Sequence, residues 1–390
     1  MLEDAELIEI EEEKFKLYFK YLISSILFNE DISHIPETSK NHLESEIRQR
    51  IFFGAPGTGK SFTLNNERKR LFNDEDCERV TFHPDYSYAN FVGTYKPVPL
   101  EDDEEKITYK YIEGPFLRLL VKAWKNIKSD EETKPFLLII EEINRANVSA
   151  VFGDIFQLLD RDANNWSEFP IDTSKDMRNY LERELKKYGV NCEKLYLPSN
   201  FFIWATMNSA DQGVFMMDTA FKRRWDFTYL KINNKQEDIN PEWNIVRKAI
   251  NKQLLKYNIN EDKLLGPFFI PLKQLPKNIN NIFKDDEFKR VFKNKVIMYL
   301  FEDAAKPRRN LLFKGSKKNE DFVTYSKIIK DFEKIGYKIF SDEIIGEIEE
   351  EFKKLEKEGE KEKGKETDSE EYKEELGIEK VGEEKEEKNE

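Results

Sequence analysis

Three short apolar runs, each followed by a helix-like stretch, set the first expectation for this chain. Ile51 to Phe53 lead into a glycine-rich turn and then SFTLNNERKRLF. Pro135 to Ile140 (PFLLII) end in acidic residues and continue into VSAVFGDIFQLLD. Asn200 to Thr206 (NFFIWAT) run into MNSAD. An unbroken apolar run of this length, bounded by turn residues, is the pattern of a strand buried on both faces. Strands of that kind alternating with helices predict an α/β domain over 47–229, with a parallel sheet and helices on both faces. Ahead of it, apolar residues at helical spacing through FKLYFKYLISSILF predict a short helical segment over 1–46. The polar stretch 161–198, with the pattern NYLERELKKY, reads as an insertion between two core strands, where surface loops and functional elements are commonly placed. From residue 230 the pattern turns helical with Pro and Asn punctuation, predicting a smaller helical domain that extends to 349. Residues 350–390 form a Glu/Lys run with almost no apolar content, expected to be frayed helix or disordered.

Composition changes this picture in a few places. Hydrophobic residues at 39% and aromatics at 13% are enough to fold most of the 390 residues. A formal net charge of −13 argues against a protein that coats nucleic acid through bulk positive charge, although a local basic loop can still grip a phosphate backbone. The cysteines, Cys77 and Cys192, form no CxxC pair, and His34, His42 and His83 have no metal-ligand spacing, so all five read as ordinary structural or surface residues. The acidic N-terminus lacks the basic start of a signal peptide. The apolar stretch Leu17 to Phe28 is short and interrupted by Lys20, which suits a buried helix rather than a membrane span. The cytoplasm is the expected location, with no membrane partner.

Four motifs carry chemistry. Gly54 to Ser61, GAPGTGKS, satisfies GxxxxGK[ST] between a strand and a helix. Its glycines let backbone N–H groups converge on the β- and γ-phosphates of a nucleotide. Lys60 adds a compact positive charge there, and the Ser61 hydroxyl can ligate Mg²⁺. Pro56, Thr58 and Phe62 belong to the same nucleotide-binding stretch. The second motif is LLIIEEINRAN, an apolar strand ending in two carboxylates. Glu141 is expected to hold the metal, usually through water, and Glu142 to polarise the attacking water. The third is WATMNSAD, in which Asn208 follows an apolar strand. Asn there is commonly a turn former, but a neutral amide can also position a lytic water. The fourth, AFKRRWDF, offers Arg223 and Arg224, either a surface basic pair or always-charged forks able to neutralise a transferring phosphoryl group. As fingers they would serve a neighbouring subunit's site, so activity would require oligomerisation.

In this order the four stretches resemble an AAA+ module, and more narrowly McrB, the GTPase motor subunit of modification-dependent restriction systems, and its relatives. TFHPDYSYANFVGTYKP, EGPF, EEINRAN with VFGDIFQLLD, MNSADQG, DTAFKRRWDF and KLLGPFFI all fit, over roughly residues 48 to 315. The resemblance implies an AAA+ domain with a small helical lid. By position, Gly54, Gly57, Gly59, Lys60 and Ser61 bind phosphate and Mg²⁺, Glu141 and Glu142 take the Walker B roles, and Asn208 and Asp211 belong to the MNxxD signature. It also implies a homo-oligomeric ring, hexameric, with a McrC-like endonuclease partner and DNA contacted through the complex. Three departures stand out. Glu141 occupies a position where better-known members carry Asp, and MNSADQG replaces MNTADRS. The stretch ahead of the loop is also expected to be too short for a methylcytosine-reading domain, which would leave target recognition to another chain. The phosphate loop touches no base, so GTP and ATP both remain open as substrate, with the family parallel favouring GTP. A ring NTPase driving a nuclease along DNA in anti-phage restriction is the expected function. The alternative is an AAA+ ATPase that remodels or assembles proteins without acting on DNA. No nuclease constellation is evident, so the chain itself is expected not to cut DNA.

Overall fold

In the computed structural model the regular elements begin with β1 (Gln49–Gly54), the glycine-rich loop and helix α1 (Lys60–Leu71), followed by β2 (Cys77–Thr81). A hairpin of β3 (Gly93–Leu100) and β4 (Asp103–Glu113) leads to α2 (Pro115–Ile127) and β5 (Phe136–Glu141). Next come β6 (Ile171–Asp172), α3 (Lys175–Leu185), β7 (Lys194–Leu195) and β8 (Phe201–Asn208). The short helix α4 (Thr219–Lys222) and β9 (Asp226–Tyr229) close the α/β part, and α5 (Pro241–Lys256) opens the helical part. The structure describes residues 46–100, 103–129, 132–209, 213–233, 239–276, 282–314 and 323–357. Contacts divide the chain into Met1–Ile47 and Arg48–Glu390. The expected N-terminal helical segment therefore lies almost wholly outside the described residues.

The five main strands form one parallel sheet in the order β2-β5-β8-β1-β9. The three apolar runs foreseen from sequence are its three interior strands. Successive side chains on them point to opposite faces. Ile51, Leu138, Ile140, Ile203 and Ala205 pack with α2 into the larger core. Phe52, Leu137, Ile139, Phe202 and Trp204 pack on the other face around Leu64 and Phe72. The edge strands CERVT and DFTY are short and only half buried, so they carry no apolar run to announce them. The hairpin β3–β4 was likewise not foreseen.

The stretch 161–198 differs from the surface insertion that its polarity suggests. Met177, Tyr180, Leu181 and Leu185 of α3 are buried in the larger core together with Cys192, Leu195 and Leu197. Their helical spacing supplies one apolar face, and the charged residues between them occupy the other. Arg161 fastens the segment to the sheet: its guanidinium donates to Leu197 O at 3.1 Å, Pro198 O at 3.2 Å and Phe201 O at 2.9 Å. Burial pushes its pKa down to about 9, which still leaves the group charged at neutral pH.

The helical region has a core of its own, built on Trp243, Val246 and Ile250 of α5 with α6 (Asp286–Val291) and α7 (Tyr325–Ile335). Helix continues over 342–357, past the point where the charged tail was expected to begin. Among the described residues no helix is long and apolar enough to cross a membrane.

Candidate nucleotide-binding site

Parallel pairing sets the site. Gly54 stands opposite Asn208 in the register of β1 and β8, and Thr81 stands opposite Glu141 in that of β2 and β5. The carboxyl ends of β1, β5 and β8 therefore open onto one edge, where open α/β sheets bind ligands. The glycine-rich loop leaves β1 there and feeds α1, whose first residue is Lys60.

Lys60 is nearly buried and folds back over the loop, its ammonium donating to Gly54 O at 3.0 Å and Ala55 O at 3.1 Å. Thr58 is buried as well, with its hydroxyl on Ala55 O. Ser61 Oγ donates to Glu141 Oε2 at 3.1 Å, joining the phosphate loop to the end of β5. Thr206 Oγ1 holds the same carboxylate oxygen at 2.5 Å. Arg79 of β2 donates to the other oxygen, Oε1, and its second amino group donates to Asn65 Oδ1 at 2.6 Å. Glu142 has left-handed backbone angles (φ 55°, ψ 47°), unusual for a residue with a side chain. The chain turns sharply there, and Asn208 Nδ2 donates to Glu142 Oε1 at 2.7 Å. Asn144 Nδ2 in turn holds Asn208 O at 2.7 Å, so the end of β8 is fixed from the loop that follows Glu142.

A hydroxyl and a carboxylate touching at the foot of a phosphate loop are the donor set Mg²⁺ uses when nucleotide phosphates supply its other ligands. Among the described residues no group of three or more His, Cys, Asp or Glu side chains could cage an ion. The Ser61–Glu141 pair fits a Mg²⁺ ion whose other ligands nucleotide phosphates would supply.

Among the described residues, the helical region reaches this site through the segment Gly266–Phe269. Gly266 N donates to Pro56 O at 2.9 Å, and Phe268 N donates to Gly57 O at 2.8 Å. At these glycines the two backbones touch: a Cβ on Gly57 would overlap the backbone of Phe269, and one on Gly266 would overlap that of Gly57. The segment is gripped from behind by three side chains spaced four apart on α5. Trp243 Nε1 donates to Pro267 O at 3.0 Å, Arg247 Nη1 to Leu265 O at 3.4 Å and Asn251 Nδ2 to Leu265 O at 2.9 Å. Phe268 lies beside Phe62, which is 58% exposed on the first turn of α1.

The two arginines of AFKRRWDF part company. Arg224 is held within the chain: it pairs with Asp160 at 2.6 Å and its guanidinium lies over the Phe156 ring at 4.0 Å. Arg223 is exposed. Asp211 lies outside the described residues. Burial pushes the Cys77 thiol up to about 11, above the ordinary thiol value.

Sequence reading brought Ser61, Glu141, Glu142 and Asn208 to this edge but missed Arg79, Thr206, Asn65 and Asn144. Thr206 carried a signal, a lone hydroxyl inside an apolar run. Arg79, in the polar stretch CERVT, carried none.

The fold and this edge define a P-loop nucleotide-binding domain of the AAA type, and the family described as the AAA domain, dynein-related subfamily, matches residues 49–225. The type II restriction enzyme BsuMI component YdiS of Bacillus subtilis is 41% identical over 326 residues, covering 75% of this chain and 87% of that protein. The type IV methyl-directed restriction enzyme EcoKMcrB subunit of Escherichia coli is 30% identical over 201 residues, covering 50% of this chain and 38% of that protein. Among solved structures, NtrX from Brucella abortus is similar at 13% identity and a TM-score of 0.29, covering 76% of this chain and 58% of that one, a likeness too loose to decide anything. The chain belongs to the McrB-like, restriction-associated branch of the AAA+ proteins.

Proposed function

We propose that this chain is a Mg²⁺-dependent nucleoside triphosphatase that assembles into a ring and powers a partner nuclease on DNA in a cytoplasmic restriction system. One observation supports the hydrolytic reading above the others: the Glu142–Asn208 pair at 2.7 Å stands beside the Ser61–Glu141 pair at 3.1 Å on the edge that carries the phosphate loop. Phosphates entering the loop take Lys60 from the carbonyls it now bonds, and the loop N–H groups bind their oxygens. Glu142 accepts a proton from water as the water oxygen attacks the γ-phosphorus. The bond to the β–γ bridging oxygen breaks, leaving a nucleoside diphosphate and phosphate. Asn208 orients Glu142 and the water. Ser61 and Glu141 would hold Mg²⁺, which would supply positive charge against the phosphates. Arg223, exposed on the loop after α4, serves as the finger offered to a neighbour's site, while Arg224 anchors that loop.

Phe62 and Phe268, with ring centroids 6.5 Å apart, would offer a base beside the phosphate loop an aromatic wall. Neither has a group to read a purine edge, so the choice between GTP and ATP rests elsewhere. The restriction role rests on kinship with YdiS and the EcoKMcrB subunit, both restriction-enzyme components by name. The test is hydrolysis of GTP and ATP side by side by purified protein, with oligomer size recorded, with and without a McrC-like nuclease, and with Glu142→Gln as control. Turnover from a ring that rises with nuclease and falls in Glu142→Gln is the expected result. Turnover that ignores nuclease and DNA but responds to an unfolded protein segment would favour the protein-remodelling alternative.

A further inference from the structure

Glu141 is shared among three neighbours. Ser61 and Thr206 hold its Oε2 from the phosphate loop and from β8, and Arg79 holds its Oε1 from β2. Arg79 is itself steadied by Asn65 on α1. A carboxylate that already carries a guanidinium offers less net charge to a cation, and the guanidinium repels any second cation nearby. We infer that Arg79 sets the metal dependence of this site: by partly neutralising Glu141, it keeps Mg²⁺ affinity low until nucleotide phosphates supply the remaining negative charge, so that metal enters only with its nucleotide. Arg79 is a positioning and charge-tuning residue, not a catalytic one. This inference rests on the assignment of Ser61 and Glu141 as the metal residues.

Because Thr206 and Ser61 still orient Oε2 when Arg79 is replaced, the dominant effect of its loss is electrostatic, which fixes the sign. The experiment titrates Mg²⁺ against full-length protein with a fluorescent GTP or ATP analogue, reading nucleotide binding rather than turnover. Arg79→Gln is expected to lower the half-saturating Mg²⁺ concentration roughly threefold to tenfold. Arg79→Lys keeps the charge and is expected to follow wild type. Asn65→Ala loosens Arg79 without removing it and gives a smaller shift in the same direction, which keeps the test decisive if Arg79→Gln does not fold. Curves for Arg79→Gln that coincide with wild type, or move to higher Mg²⁺, overturn the inference. A wild-type protein whose nucleotide binding ignores Mg²⁺ overturns the metal assignment instead, so the two failures are told apart.

Discussion

At the carboxyl edge of the sheet, Ser61, Glu141, Glu142, Thr206 and Asn208 arrive from one helix and the ends of two strands and bond to one another. In the helical region, Trp243, Arg247 and Asn251 lie along a single helix and bond to the backbone of one nearby segment, Leu265–Pro267. The first arrangement spans 80 positions between Ser61 and Glu141 and stands at the end of the parallel ladder. The second is local and belongs to a separate core. The two meet at the phosphate loop through the peptide N–H groups of Gly266 and Phe268. The lesson is a division of labour: the sheet edge joins residues far apart in the chain, while the helical region lays one short segment against the phosphate loop.

The largest effect that would sharpen this contrast lies on neither side of it. Arg223→Ala should lower turnover by about 10³–10⁵ with nucleotide binding intact. Mixing it with Lys60→Ala subunits, which bind no nucleotide but keep Arg223, should restore part of the lost turnover. No recovery in the mixed oligomer would show that the finger does not act between subunits.

At the sheet edge itself, Glu142→Gln should reduce phosphate release by about 10²–10⁴ and leave nucleotide affinity unchanged, read by single-turnover kinetics beside a binding titration. A large loss of affinity would mean that Glu142 holds substrate rather than activating water. On the lid side, Trp243→Ala removes a fully buried ring and the bond to Pro267 O. It should cost about 3–5 kcal/mol of stability, seen in calorimetry as an early transition while the α/β core melts near its usual temperature. One cooperative transition shifted as a whole would break the comparison, since the two cores would then unfold together.

The smallest effect tests the contact between the regions. Gly266→Ala pushes a methyl group into the Pro56–Gly57 backbone. Overpacking of this kind costs about 1–3 kcal/mol, so nucleotide affinity should weaken roughly fivefold to a hundredfold with little change in melting of the main core. Unchanged affinity would show that the segment merely rests on the loop.

Much of this site was legible before any coordinates. GAPGTGKS, the strand ending in Glu141 and Glu142, and Asn208 after a third apolar run carry their chemistry in contiguous residues, and a buried interior strand declares itself by lacking polar positions. The edge strands CERVT and DFTY were not legible, because a half-exposed strand is stabilised by its neighbour more than by its own composition. The stretch 161–198 misled for a related reason. Its polar average hid Met177, Tyr180, Leu181 and Leu185, which matter only once α3 has a core to face.

The sequence by itself determined the interior of the sheet and the phosphate loop, and it named the residues proposed to meet the nucleotide, since each depends on a short stretch with a local physical signature. Tertiary structure decided the rest. It alone brought Arg79 onto Glu141, separated an anchored Arg224 from an exposed Arg223, and laid Gly266 against Gly57. These contacts join residues tens to hundreds of positions apart. Strand register fixes the first and loop packing the other two, and no local pattern along the chain encodes which distant group will arrive opposite.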